Sequence, residues 1–120
     1  MLGDDARHWS DLGFGPWALF DRADDSYLGR VGLRYTAVET ERAIELAWTV
    51  DPDRQGEGLA TEAGVAAIAL ARRLEIEAIV ALALPRNLAS CRVAEKLGMR
   101  RDGEVDHAGL PHALYRLALA

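Results

Sequence analysis

The sequence predicts an α/β (α+β) fold, a mixed central sheet with helices on its faces. Three observations carry that expectation. First, Glu45-Leu46-Ala47-Trp48-Thr49-Val50 reads as a strand, Leu59 to Leu74 as an alanine-rich helix apolar at helical spacings, and Ala78 to Leu84 as a buried strand. That order makes a parallel crossover, for which a right-handed path is expected. Second, a glycine turn, Gln55-Gly56-Glu57-Gly58-Leu59-Ala60, joins the first strand to the helix. Third, pairs of strand-like runs at either end of the chain read as hairpins.

Taken in order, residues 1–15 are polar and weakly patterned, with a helix expected around Ala6 to Leu12. Pro16 to Arg22 and Tyr27 to Tyr35 form a hairpin around the turn-forming Ala23-Asp24-Asp25-Ser26. Glu41 to Val50 is the third strand. Alternation places Ile44, Leu46 and Trp48 on one face and Glu45, Ala47 and Thr49 on the other. Asp51-Pro52-Asp53 then turns the chain into the glycine loop. After the crossover, Asn87 is a good N-cap and Gly98 a good C-terminal stop, so a short helix spans the interval. Met99 to Val105 and His112 to Leu119 close the sheet as a hairpin around Ala108-Gly109.

Composition narrows the function classes. The 120 residues make one domain, 1–120, without repeats or linkers. Half of them are hydrophobic, yet no run approaches a membrane span and no charged-then-apolar leader begins the chain. The lone Cys91 excludes an internal disulfide and fits a reducing cytoplasm. A net charge of −5 argues against a nucleic-acid surface, and its field attracts an amine weakly. His8, His107 and His112 lack metal-ligand spacing, so no metal is expected.

The glycine turn carries the chemistry. A strand, a turn and a helix start expose free backbone N–H groups at a positive dipole end, which suits phosphate oxygens. Glycines let the backbone approach such a ligand without a Cβ in the way. Leu59-Ala60-Thr61 after Gly58 rules out a P-loop, which needs Gly-Lys-Ser/Thr there. Glu62 stands where a dinucleotide fingerprint needs its third small residue. The hexapeptide resembles the Q/R-x-x-G-x-G/A pyrophosphate loop of the GNAT superfamily of N-acetyltransferases, with Gln55, Gly58 and Ala60 at its specified positions. The run from Asn87 to Met99, with Asn87, Ser90 and Glu95-Lys96-Leu97-Gly98, resembles the second acetyl-CoA motif of its RimJ/RimL-like branch. The resemblance extends from about Phe14 to Leu119.

That resemblance implies a GNAT acyl-CoA N-acyltransferase fold with acetyl-CoA as cosubstrate. Backbone N–H groups of Gln55, Gly56, Glu57, Gly58, Leu59 and Ala60 would hold the pyrophosphate, with a hydroxyl from Thr61. The strand end at Trp48, Thr49 and Val50 would splay from its neighbour and pair with the pantetheine amides. A backbone N–H there would also polarise the thioester carbonyl. Asn87 would bond the pantetheine arm, or act as a plain N-cap, or both. Many family members place an acidic tyrosine where this chain has Ala94. Ser90 is the substitute expected here, unless its hydroxyl only serves the local backbone. Glu45 is the candidate base, provided that it faces a cleft rather than solvent. Cys91 reads as a small packed residue, not a nucleophile. Arg92 and Lys96 lie one turn apart, solvated or in reach of a CoA phosphate.

Family members usually begin with a strand and one or two helices before the first hairpin, and here only a short segment precedes Gly13-Phe14-Gly15-Pro16-Trp17. The reading is therefore an N-terminally short domain: a misplaced start, a natural form, or one completed by a partner such as a second copy. The expected function is acetyl transfer to a primary amine in a ternary complex, in the cytoplasm. A protein N-terminal amine is favoured and a small amine is the other acceptor. A non-catalytic acyl-CoA-binding or interaction module is the alternative.

Overall fold

The computed structural model describes residues 16–20, 23–51, 55 and 58–119. Its strands are β1 (Pro16–Phe20), β2 (Tyr27–Val38), β3 (Glu41–Val50), β4 (Ala78–Ala83), β5 (Arg100–His107) and β6 (Leu110–Ala118). Its helices are α1 (Leu59–Arg73) and α2 (Leu88–Lys96). The expected helix at Ala6 to Leu12, and Asp21-Arg22 at the end of the first expected strand, lie outside the described residues. So does most of the Asp51-Pro52-Asp53 turn.

The strands form one mixed sheet in the order β1-β2-β3-β4-β6-β5. β3 and β4 run parallel, joined through α1, and the other neighbours are antiparallel. Three strands run further than their sequence suggests, among them β6, which begins at Leu110 and not at His112. β2 continues to Val38 and pairs with Glu41 across a tight turn in which Glu39 takes a φ of 57°. No Gly or Asn marks that turn. β5 continues to His107, although its residues are mostly exposed. Backbone pairing to β6 holds it, and the turn uses Ala108 (φ 54°) and Gly109 (φ 80°), the geometry of a two-residue hairpin.

Alternation divides the core into two layers. On one face, Val31 and Leu33 of β2, Leu46 of β3, Ile79 and Ala81 of β4 and Tyr115 of β6 meet both helices. α1 contributes Ala67, Ile68 and Ala71, whose short side chains let the helix lie close to the sheet. α2 contributes Cys91 and Ala94. On the opposite face Val38, Val80, Val105 and Leu114 make a smaller apolar cluster, with Ala43 and Leu82 against it. Burial at about 25 cal/mol per Å² of apolar surface makes the first layer the main source of stability. It also fixes which residues of β3 face away from the helices.

Candidate functional site

The parallel pairing of β3 with β4 is registered at a single position, Glu45↔Val80. Beyond Glu45, β3 stays laddered to β2 as far as Gly29↔Val50, whereas β4, paired with β6 on its other edge along its whole length, has no further registered pair with β3. The two strands therefore splay. Among the described residues, backbone groups of residues 48–50 that point away from β2 have no strand beside them, which suits pairing to an extended amide ligand. The splay opens a cleft of about 430 Å³, lined by residues 30–34 of β2, residues 45–49 of β3, Leu82 of β4 and Ser90 of α2.

Glu45 and Ser90, read separately from the sequence, line this one cleft from opposite walls. Glu45 is 4% exposed, and Arg34 Nε donates to its Oε1 at 3.1 Å. Removing a carboxylate from water is costly unless a partner satisfies it, and the cross-strand pairing of Arg34 with Glu45 supplies one. Ser90 is half-buried in the first turn of α2. Its own N–H donates to Asn87 Oδ1 at 3.2 Å, so Asn87 caps the helix and fixes the start of the turn that carries Ser90. Trp48 and Thr49 also line the cleft, and Val50 lies at the end of its β3 wall.

The loop entering α1 is tied to that wall. Gln55 Nε2 donates to the Val50 carbonyl at 3.3 Å, a bridging role that the motif alone did not reveal. Gly58 precedes the helix at φ 78° and ψ 10°, without a side-chain cap, and a Cβ there would meet nothing within 4 Å. The first-turn amides of Leu59, Ala60 and Thr61 thus follow a residue that leaves space in front of it. Ala60 is buried and Leu59 packs on the core, so these two can offer an anion their N–H groups only. Thr61 is half-buried. Gly56 and Glu57 lie outside the described residues.

Other residues fall away from the cleft. Cys91 is buried, with Sγ 4.0 Å from the Leu84 carbonyl. Beneath it, burial first and then its hydrogen bond to Cys91 push the Tyr115 phenol up to about 12. Ala94 is fully buried against the sheet, so no acidic group occupies that position. His107 and His112 stack edge-to-face at 5.2 Å on the closing hairpin, outside the cleft lining. Arg92 and Lys96 are exposed. His8 lies outside the described residues. Among the described residues no group of three potential ligands is placed to hold a metal ion. Arg34 is the residue that sequence reasoning missed, because its link to Glu45 exists only in the strand register.

Residues 4–100 match the family described as the acetyltransferase (GNAT) domain. The chain is similar to the uncharacterized N-acetyltransferase YnaD of Bacillus subtilis, at 36% identity over 64 residues, 52% of this chain and 38% of that protein. It is similar in structure to a GnaT-family acetyltransferase from Bordetella pertussis, with a TM-score of 0.82, 31% identity, and coverage of 94% of this chain and 71% of that one. The fold also matches yncA of Salmonella typhimurium, solved with its cofactor acetyl-CoA, with a TM-score of 0.78, 20% identity, and coverage of 95% and 69%. The chain spans between 38% and 64% of the length of the curated relatives that it matches. Since the family's residues are matched over most of its length and its strands open where a GNAT sheet is expected to open, this chain belongs to the acetyltransferase (GNAT) domain family.

Proposed function

We propose that this domain is an acetyl-CoA-dependent N-acetyltransferase that transfers the acetyl group directly to a primary amine in a ternary complex. The observation that carries the reading is the cleft itself. One splay brings an unpaired β3 edge, a buried carboxylate and a helix-borne hydroxyl together, next to a loop suited to phosphate. The open space before Gly58 and the uncapped helix start fit the pyrophosphate of acetyl-CoA. Residues 55–61 would hold that end, and residues 48–50 with Asn87 the pantetheine arm. When bound, acetyl-CoA supplies an activated thioester.

The chain's own groups do the rest. Glu45 takes a proton from the acceptor ammonium, directly or through water, and leaves a neutral nitrogen nucleophile. A β3 N–H near Trp48 to Val50 stabilises negative charge on the carbonyl oxygen. As the N–C bond would form and the C–S bond break, the Ser90 hydroxyl would hydrogen-bond the departing sulfur, and the proton shed by the new amide nitrogen would pass to that sulfur to release the free thiol. The RimJ/RimL-like look of the second motif favours a protein N-terminal amine as acceptor, with a small amine as the other class. Among the described residues no helix is long and apolar enough to cross a membrane. The lone cysteine accords with the cytoplasm.

Calorimetric titration of the full chain with acetyl-CoA, with thiol release measured on an amine panel, tests this reading. Saturable binding and amine-dependent release are expected. Binding with no release on any amine would leave a binding module instead. Ser90→Ala should lower kcat while the KM for acetyl-CoA stays within about twofold, because a contact made only to the departing sulfur acts in the transition state. Equal activity would reduce Ser90 to a structural residue.

A further inference from the structure

The register of β2 and β3 sets three cross-strand pairs in a row on the face of the cleft that points away from the helices: Arg30↔Thr49, Gly32↔Ala47 and Arg34↔Glu45. All six residues line the cleft. Same-face pairs along a strand are about 7 Å apart. The middle pair has the two smallest side chains, so the floor lies lowest there and an arginine stands on either side.

The outer pair is a charge pair of unequal exposure. The Glu45 side chain is 5% exposed and that of Arg34 is 61% exposed. Arg34 meets Glu45 through Nε. A guanidinium carries five N–H donors in a flat fork, so its outer nitrogens can grip a second carboxylate bidentately. A carboxylate has about four lone-pair sites, so Glu45 can accept from an ammonium while it holds Arg34. An anion and a cation side by side on a cleft wall complement a ligand whose own cation and anion are side by side.

From this we propose that the acceptor is a primary amine with a carboxylate a few bonds from the nitrogen, with Glu45 receiving the amine and Arg34 reading the carboxylate. The inference rests on the amine-acetylating reading above and makes Arg34 a specificity-determining residue. A polyamine gains at Glu45 but brings its remaining charges against Arg34, and like charges in an interface are costly. An amine without an anion makes no use of the outer nitrogens of Arg34. The net charge of −5 does not reverse this, since charges beyond about 8 Å are screened at physiological salt and the local pair decides. A free α-amino acid and a polypeptide whose second residue is acidic present the same chemistry.

The test compares limiting, pH-independent kcat/KM values of the full chain for matched pairs, which removes differences in amine pKa. One arm pairs free α-amino acids with their carboxamides. The other pairs short peptides carrying Asp at position two with their Asn counterparts, and spermidine is the polycation. An acid-over-amide preference of at least about tenfold is expected in one arm, and that arm names the source. Arg34→Gln should bring the ratio to near one, with Arg34→Lys between. Because both members of a pair meet the same enzyme, the ratio is insensitive to lost folded protein or a disturbed Glu45. Thiol release that is equal for acid and amide, or fastest with spermidine, overturns the inference and leaves the acetyltransferase intact. Thiol release from no amine at all overturns the acetyltransferase reading and this inference with it.

Discussion

A carboxylate in the middle of a sheet is an expensive residue, and the ion pair that Glu45 makes with Arg34 offsets the cost. Glu45→Gln keeps an oxygen for Arg34 Nε but removes the proposed proton acceptor. The expected loss in kcat/KM is about 10²–10⁴-fold for an alkylamine with a pKa near about 10.4, which arrives almost wholly protonated. An α-amine with a pKa near about 8 should lose less, because part of it arrives neutral. Undiminished rates on both would return Glu45 to a structural role. Tyr115 makes a different prediction. Burial pushes its phenol up from 10.0 to about 12, so between these values the unfolded chain has lost a proton that the native one keeps. That contribution to stability is whole below pH 10 and is lost as pH rises through 12. The slope is about −1.4 kcal/mol per pH unit at its steepest. Urea midpoints of the native chain should fall faster over that window than those of Tyr115→Phe, and parallel curves would show that Tyr115 is not the responsible group.

At the scale of elements, the ends of β2 and β3 approach closely at Gly29. It takes a φ of 149°, and a Cβ would sit 2.1 Å from the Thr49 carbonyl oxygen, with Val50 Cα at 2.9 Å. Both neighbours are backbone, which cannot swing aside as a side chain can. Gly29→Ala should therefore cost about 1–3 kcal/mol by overpacking and raise the KM for acetyl-CoA, because the strand end it displaces is the cleft wall. An unchanged urea midpoint would mean that the strands part there freely. This constraint was not legible in the sequence, where Gly29 looks like any strand glycine. β3, α1, β4 and α2 were legible to within a residue or so, since apolar periodicity, Asn87 and Gly98 all agree on them. The last turn of α1 stops at Arg73 without a glycine, and Glu75 instead adopts a φ of 61°. β5 was under-read for a physical reason: its outward residues carry no burial pattern, and hydrogen bonds to β6 define its length. The site divides in the same way. The glycine turn, Glu45 and Ser90 are candidates by residue type and place alone, whereas the Arg34–Glu45 pair and the Gln55–Val50 tie depend on which backbone lies alongside which.

Across the whole molecule the sheet is two antiparallel halves, β1-β2-β3 and β4-β6-β5, which meet at one registered bridge. The helix layer spans both halves, so the packed core of α1 and α2 carries much of their union. A ligand lying in the splay and bonding to β3 would complete the join that the strands leave open. Ligand binding should therefore be felt as global stability and not as a local change. At a free acetyl-CoA concentration a hundred times its Kd, linkage stabilises the folded chain by about 2.7 kcal/mol, a rise in Tm on the order of 10 °C for a domain of this size. Gly58→Trp separates this effect from non-specific stabilisation. Its side chain would fill the space before α1, and the left-handed φ at Gly58 adds a penalty of about 1–2 kcal/mol that lowers Tm with and without ligand alike. The variant should be less stable at rest and should lose the acetyl-CoA increment. If the native chain melts cooperatively yet shows no increment, the loop from Gln55 to Thr61 does not hold the nucleotide. If the increment survives in Gly58→Trp, the pyrophosphate is held elsewhere.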